Sequence, residues 1–369
     1  MKTEEMILNM GPQHPSTHGV LRLEVKLEGE LVLDVKPHIG YLHRCFEKHC
    51  ENLSYPQIIP YTDRLDYLAS MYNNFGYVVA VEKLMGLEVP ERVHYIRVIM
   101  GEFQRIASHL VALGTYGVDI GAFTPFLYCF RDREKILDLF EMTCGARLLY
   151  NYMWVGGVSH DLHPDFLRLA KDFIGYFKPK ITELNNLLSY NKIFIERTAN
   201  VGILPLDTAI NYGATGPILR ASGIPFDVRK EEPYAVYDKI DFDIPTGHGE
   251  MGTTGDSWDR YFVRIQEMEQ SLRIIEQAIE QIPDGDVHEA VPRRVKPPKG
   301  TVYTRVENPK GELGYFIISD GKDKPARVKV RPPSFLNLAL MEPLCKGHLV
   351  ADIITILGSL DIVLGEIDR

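Results

Sequence analysis

The chain predicts an α+β fold that is mainly helical, and three observations carry that reading. Apolar residues alternate in short runs before residue 38, recur at spacings of three and four through long segments between residues 62 and 282, and alternate again after residue 300. The expected architecture is an N-terminal small antiparallel sheet, a central bundle of long helices, and a C-terminal small β element with a closing helix.

Each element has its own signal. Met6 to Pro37 predicts two strands joined through Glu28-Gly29-Glu30, with Leu21, Leu23, Val25 and then Leu31, Leu33, Val35 on the apolar face. Helices are expected over about Thr62–Met85, Pro90–Tyr116, Arg131–Val155 and Pro164–Leu188, bounded by Thr62 and Asp63, Pro90, Gly117, Gly156 and Pro164. From Asn191 to Gly255 the pattern dissolves into glycine and proline punctuation, with one short helical stretch at Leu206–Tyr212. A long amphipathic helix follows at Ser257–Ile282, then a proline-rich, basic linker at Val287–Gly300. Strands in Thr301–Lys329 turn at Asn308-Pro309-Lys310-Gly311 and Ser319-Asp320-Gly321, and a helix at Leu344–Leu357 precedes the tail. Three regions result: 1–60 (sheet and loop), 61–285 (bundle, with the glycine/proline-rich insertion at 191–255) and 286–369 (β element and terminal helix).

Composition excludes some functions. A net charge of −9 with no basic stripe argues against nucleic acid as a partner. Met1 to Met10 lacks the build of a secretory signal, and the most apolar tail, Leu349–Ile367, is interrupted by Asp352, Asp361 and Glu366. Membrane contact is therefore expected only through partner subunits. The cysteines are Cys45, Cys50, Cys129, Cys144 and Cys345, without a Cys-x-x-Cys pair, which suits a reducing cytosol and no metal of the chain's own. Cys45 and Cys50, with His43 and His49 nearby, are the nearest approach to a ligand set, and small buried thiols are the default.

The chemistry-bearing stretch is Gly11-Pro12-Gln13-His14-Pro15-Ser16-Thr17-His18-Gly19. Prolines fix φ and glycines admit conformations other residues avoid, so the loop has little freedom left to lose on binding. It presents His14 and His18, and an imidazole titrating near neutral pH can pass protons to a ligand; alternatively the histidines only hydrogen-bond local backbone. Pro37-His38-Ile39-Gly40-Tyr41-Leu42-His43-Arg44 places two more histidines and an arginine in a turn leaving the sheet. Tyr61-Thr62-Asp63-Arg64-Leu65-Asp66-Tyr67 opens the first long helix, where acidic residues complement the dipole and a buried Tyr67 phenol needs a partner. Asp119, between Gly117 and Gly121, sits at a helix C-terminus, where a carboxylate is unfavourable unless something cationic offsets it. His109 and Arg105 on the same helix, or a loop histidine, could do so.

These stretches, together with Gly101-Glu102-Phe103 and Arg105, Gly145-Ala146-Arg147, Gly156-Gly157-Val158, Leu219–Asp227, Arg229-Lys230 with Pro233-Tyr234, Gly255–Tyr261 and Gly347-His348 through Arg369, resemble one family over essentially the whole chain. It is the 49 kDa subunit, or D subunit, of respiratory complex I, the NADH-quinone oxidoreductase. The resemblance implies a fold like that of nickel-iron hydrogenase large subunits. It also implies a role in walling the end of a quinone chamber with the adjacent iron-sulfur B subunit, whose four-iron cluster delivers the electrons. Quinone is then the substrate, no cofactor is held by this chain alone, and the B, C, H and I subunits of complex I are the partners. The place is the cytoplasmic side of a bacterial inner membrane, peripherally.

Carried onto this sequence, the family's headgroup-binding histidine and tyrosine are His18 and Tyr67, and the histidine's carboxylate partner is Asp119. His14, Thr17, His38 and Asp63 would support the cavity; Arg44, Arg147 and Leu149 would lie near the partner's cluster. Relatives commonly carry a histidine where Leu149 stands, which implies a cluster potential less dependent on pH and leans toward menaquinone. Cys45 and Cys50 are a second departure. Two other readings are a nickel-iron hydrogenase-like large subunit, for which the two Cys-x-x-Cys pairs are missing, and a scaffold subunit without direct chemistry.

Overall fold

The computed structural model describes residues 5–14 and 17–369; Pro15 and Ser16 of the histidine loop lie outside them. The N-terminal sheet has three antiparallel strands, β1 (Glu5–Met10), β2 (Arg22–Glu28) and β3 (Leu31–His38), in that order. The sequence pattern predicts only two. β1 escapes it because Met6 and Ile7 are both exposed, leaving no polar outer face to read. The inward set on β3 also needs correction: the register shifts between Lys26 and Leu27, so Leu33 is surplus. That bulge reverses the alternation, burying Val32 and Val35 while Leu31 is exposed.

The helices follow as α1 (Phe46–Cys50), α2 (Tyr55–Thr62), α3 (Ser70–Met85), α4 (Glu91–Asp119) and α5 (Phe123–Cys144). The helix expected from Thr62 begins only at Ser70, after a turn that follows α2, so Tyr67 lies in that turn rather than one turn inside a helix. Ser54 and Gln57 form a capping box that starts α2 earlier than the apolar spacing suggests. The helix expected over Arg131–Val155 is shifted as well: α5 stops at Gly145, whose φ of 74° ends it. Beyond it, β4 (Met153–Trp154) pairs with β5 (Gly157–Val158).

Next come α6 (Phe166–Leu184), α7 (Lys192–Thr198), α8 (Leu206–Asn211), α9 (Pro217–Ala221), α10 (Val228–Glu231) and α11 (Ser257–Gln281). A second antiparallel sheet, β6 (Gly300–Asn308), β7 (Gly311–Ser319) and β8 (Arg327–Arg331), precedes α12 (Pro333–Leu338), α13 (Met341–Cys345), α14 (Val350–Leu360) and α15 (Leu364–Asp368). The expected closing helix is therefore divided, α13 ending before Gly347, whose φ is 83°. The whole is the mainly helical α+β fold expected. Among the described residues no helix is long and apolar enough to cross a membrane.

Two apolar cores position everything else. The larger unites α2 to α6 and α11 with the β6–β8 sheet; the smaller unites the N-terminal sheet with α8, α9 and α12 to α15. Backbone bonds reinforce the second, since Val32 N–H donates to His348 O and Gly347 N–H to Val32 O, both at 2.9 Å, closing the free edge of β3. The end of the chain is thereby brought beside its beginning. Helix α4 runs through the bundle buried on nearly every side, including Arg97, Glu102, Arg105 and His109. Buried charges require partners, and these have them: Arg97 pairs with Glu82 (2.6 Å), Arg105 with Glu102 (3.1 Å) and His109 with Glu267 (2.8 Å). Arg105 and His109 therefore do not offset Asp119.

Candidate functional site

The loop leaving β1 is bent back on itself before it enters β2. Thr17 is buried, and its N–H (3.1 Å) and Oγ1–H (2.9 Å) both donate to His14 O, while His14 and Gly19 form an isolated antiparallel bridge. His18 takes a φ of 51°, the left-handed region that non-glycine residues rarely occupy, and Gly19 beside it has a φ of 114°. That conformation aims the imidazole at the far end of α4. His18 Nε2–H donates to Asp119 Oδ2 at 3.1 Å, across 101 positions of sequence; an ionised carboxylate only accepts, so Nε2 carries a proton. The pair is partly open, with 19% and 13% of the two side chains exposed.

Tyr67 stands on the α2–α3 turn, which is held from below by polar side chains at the start of α3. Ser70 Oγ–H donates to Asp63 O (2.9 Å), Asn73 Nδ2–H to Asp66 O (3.0 Å) and Asn74 Nδ2–H to Thr62 Oγ1 (2.9 Å). Gln104 Nε2–H, from α4, donates to Leu68 O at 2.6 Å. The turn is thus fixed while Tyr67 stays 38% exposed. Burial of its inner part, then the Asp66 carboxylate, push the phenol above its ordinary range, so it is a protonated donor at neutral pH.

The terminal segment lies between the loop and the turn. A Cβ on Gly19 would meet Leu364 Cδ1 at 3.7 Å, and one on Gly365 would strike Leu65 O. Asp368 accepts from Gly40 N–H (2.8 Å) and Leu42 N–H (2.6 Å), and His43 Nδ1–H donates to Asp368 O (2.6 Å). Arg44 Nη2–H donates to Arg64 O (2.6 Å), tying the turn after β3 to the one bearing Tyr67.

Asp63 is fully buried. Its Oδ2 accepts from Asn151 N–H at 3.0 Å, and burial pushes its carboxyl up to about 7 despite that bond. Asn151 and Leu149 both hold left-handed φ values, 46° and 58°, so the segment after α5 is folded tightly against this carboxyl. Arg147, at the start of that segment, pairs with Glu134, Asp138 (2.8 Å) and Glu141 (2.9 Å) on α5. His38 pairs with Glu24 on β2 at 3.1 Å, and His14 is exposed. Cys45 is exposed with Sγ 3.6 Å from His43 Nε2, whereas Cys50 is buried and burial pushes its thiol up to about 12. Among the described residues no group of three or more His, Cys, Asp or Glu side chains could hold a metal ion.

Four groups beside the turn escape sequence reading. Lys310, at the β6–β7 turn, has Nζ 3.2 Å from Asp66 Oδ2 and 3.8 Å from Asp361 Oδ2. Glu366 on α15 is fully buried nearby. Arg264 on α11 reaches Asp361 at 3.7 Å. Asn-Pro-Lys-Gly reads only as a turn, and Glu366 lies in a tail whose burial no periodicity announces.

Known proteins resemble this chain along its whole length. A family model described as "Respiratory-chain NADH dehydrogenase, 49 Kd subunit" matches residues 119–297 and 287–369. The D subunit of the NADH-quinone oxidoreductase of Chlorobium luteolum is 55% identical over 373 residues, covering 100% of this chain and 94% of that protein. The D 1 subunit of the NADH-quinone oxidoreductase of Cytophaga hutchinsonii is 56% identical over 379 residues, covering 100% and 97%. Identity at that level over full length shows that the chain belongs to the family of 49 kDa subunits, or D subunits, of NADH-quinone oxidoreductase.

Proposed function

We propose that this chain supplies the quinone-headgroup site of the complex and that His18 and Tyr67 bind and protonate the headgroup. The observation that carries the reading is the His18–Asp119 contact, which sets a proton-bearing ring nitrogen against a carboxylate in a partly open position. Reduction of a quinone to a quinol adds two electrons and two protons. The electrons come from the four-iron cluster of the neighbouring B subunit. The protons come from this chain: the His18 imidazole gives one to a carbonyl oxygen, and the Tyr67 phenol donates a hydrogen bond to the other, giving its proton as negative charge builds. Asp119 orients the imidazole; when an imidazolium proton leaves for the quinone, the carboxylate loses its cationic partner, a charge change able to bias a conformational equilibrium toward the membrane arm.

Arg44 and Leu149 face the partner subunit in this reading, with Arg147 behind them, and Asp63 supports the wall between Tyr67 and that face. Thr17 fixes the bend that carries His18, while His14 and His38 line the approach. The B, C, H and I subunits are the neighbours, and the chain sits peripherally on the cytoplasmic side of the membrane.

The test is quinone reduction by the assembled complex with His18→Ala and Tyr67→Phe. Each should lower turnover by about 100-fold or more, the range of a lost general acid. Normal rates in both would leave the chain a scaffold.

A further inference from the structure

Beneath Tyr67 lies a cluster of buried ionisable groups with no part in holding a headgroup. Lys310 Nζ donates to Ser108 Oγ on α4 (3.1 Å) and stands 3.2 Å from Asp66 Oδ2 and 3.8 Å from Asp361 Oδ2. Glu366 Oε1 accepts from Ser334 N–H on α12 at 3.1 Å. Asp66 Oδ2, Asp361 Oδ2 and Glu366 Oε2 accept no hydrogen bond from any described residue, although Asp66 and Glu366 are fully buried and Asp361 nearly so.

The charges do not balance. Three carboxyl groups, from the α2–α3 turn and the terminal segment, face two cations, Lys310 from the β6–β7 turn and Arg264 from α11. The Tyr315 phenol on β7 also feels Glu366, and it is neutral. An uncompensated carboxylate in dry interior is costly, so one carboxyl keeps its proton.

We propose that this cluster stores one exchangeable proton, held on Glu366, and returns it through Asp66 to Tyr67 after the phenol has given its own to the quinone. The proposal rests on the quinone reading of Tyr67. Asp66 precedes Tyr67 on the turn, and the charges of Asp66 and Lys310 both act on the phenol. In the step a carboxyl O–H bond breaks and a phenol O–H bond forms. No electron moves, and the carboxylate left behind faces Lys310. The direction is downhill: burial and then Asp66 push the Glu366 carboxyl up to about 8, still below a phenol whose ordinary value is near 10. Burial disfavours the Lys310 ammonium, but Asp361, Asp66 and Glu366 outweigh it, so Lys310 stays a fixed cation.

The experiment uses the assembled complex carrying Glu366→Gln, which keeps the shape of the protonated acid without its proton. Turnover with quinone should fall by about tenfold or more while KM stays as in the native enzyme. The infrared difference spectrum of quinone reduction should lose a carboxylic-acid carbonyl band that the native complex shows. Native turnover with the band retained would overturn the store. Should Glu366→Gln fail to assemble, Asp66→Asn decides: it removes the relay and the charge that, after burial, raises the Glu366 carboxyl, so turnover should fall about tenfold at unchanged KM, and native turnover there overturns the proposal. Tyr67→Phe, run in parallel, separates the two ideas. If it is slow while Glu366→Gln is normal, the store alone is wrong; if it turns over normally, the quinone reading of Tyr67 fails and the store with it.

Discussion

Gly358 on α14 leaves the space that Asp119 occupies: a Cβ built there would lie 3.3 Å from Asp119 Oδ2 and 2.5 Å from the Tyr116 ring. The histidine–carboxylate contact therefore depends on a glycine in another helix. Gly358→Ala should push Tyr116 and Asp119 off α14 and lengthen the bond to His18. Overpacking of this kind costs about 1–3 kcal/mol. Thermal unfolding should show that loss, and quinone turnover should fall further than stability alone explains; full turnover would mean the contact tolerates displacement.

Asp119→Asn tests the charge rather than the space. The amide oxygen still accepts from His18 Nε2–H, so the ring stays in place, but no negative charge answers the imidazolium. Turnover should drop by about 10- to 100-fold, and the number of protons pumped per quinone should fall as well. Unchanged pumping per quinone would remove Asp119 from the coupling signal.

Asp63 gives a pH dependence whose sign is fixed by burial. Its carboxyl titrates at about 7 in the fold and near 4 in the unfolded chain. Between those values the folded state holds a proton that the unfolded state has lost, so stability falls as pH rises through the window and levels off above it. From about pH 5 to pH 8 the native chain should lose about 3 kcal/mol relative to Asp63→Asn. Denaturant midpoints of the two forms across that range check it; parallel curves would mean the carboxyl ionises freely.

Leu149 offers no titratable proton, and its left-handed backbone is one that histidine tolerates better than leucine. Leu149→His should therefore fold normally and steepen the pH slope of the partner cluster's midpoint potential, which should be shallow in the native complex. A redox titration of both forms decides it. A steep slope already present in the native complex would assign the proton exchange to another group.

A helix whose one side meets a core, such as α6, is legible in the sequence because its apolar stripe survives there. The start of α3 is not legible, because Asn73 and Asn74 are buried beside its apolar residues, and a helix buried all round carries no stripe. The phase of β3 is lost at a bulge, which one surplus residue creates without any mark in composition. In the site, His18 and Asp119 each stand out, one by its rigid loop and one by its place at a helix end. Lys310 and Glu366 do not, since what singles them out is being surrounded, and that belongs to the assembled fold.

The docking of the tail has a temporal side. Gly40 and Leu42 find their acceptor, Asp368, 328 and 326 positions later. At ribosomal speed that interval lasts roughly twenty seconds to a minute. For most of it, the loop bearing His18 and the turn bearing Tyr67 are made but lack the segment that packs between them. The end of the protein that carries His18 and Tyr67 thus closes only once the last residues of this sequence have been made.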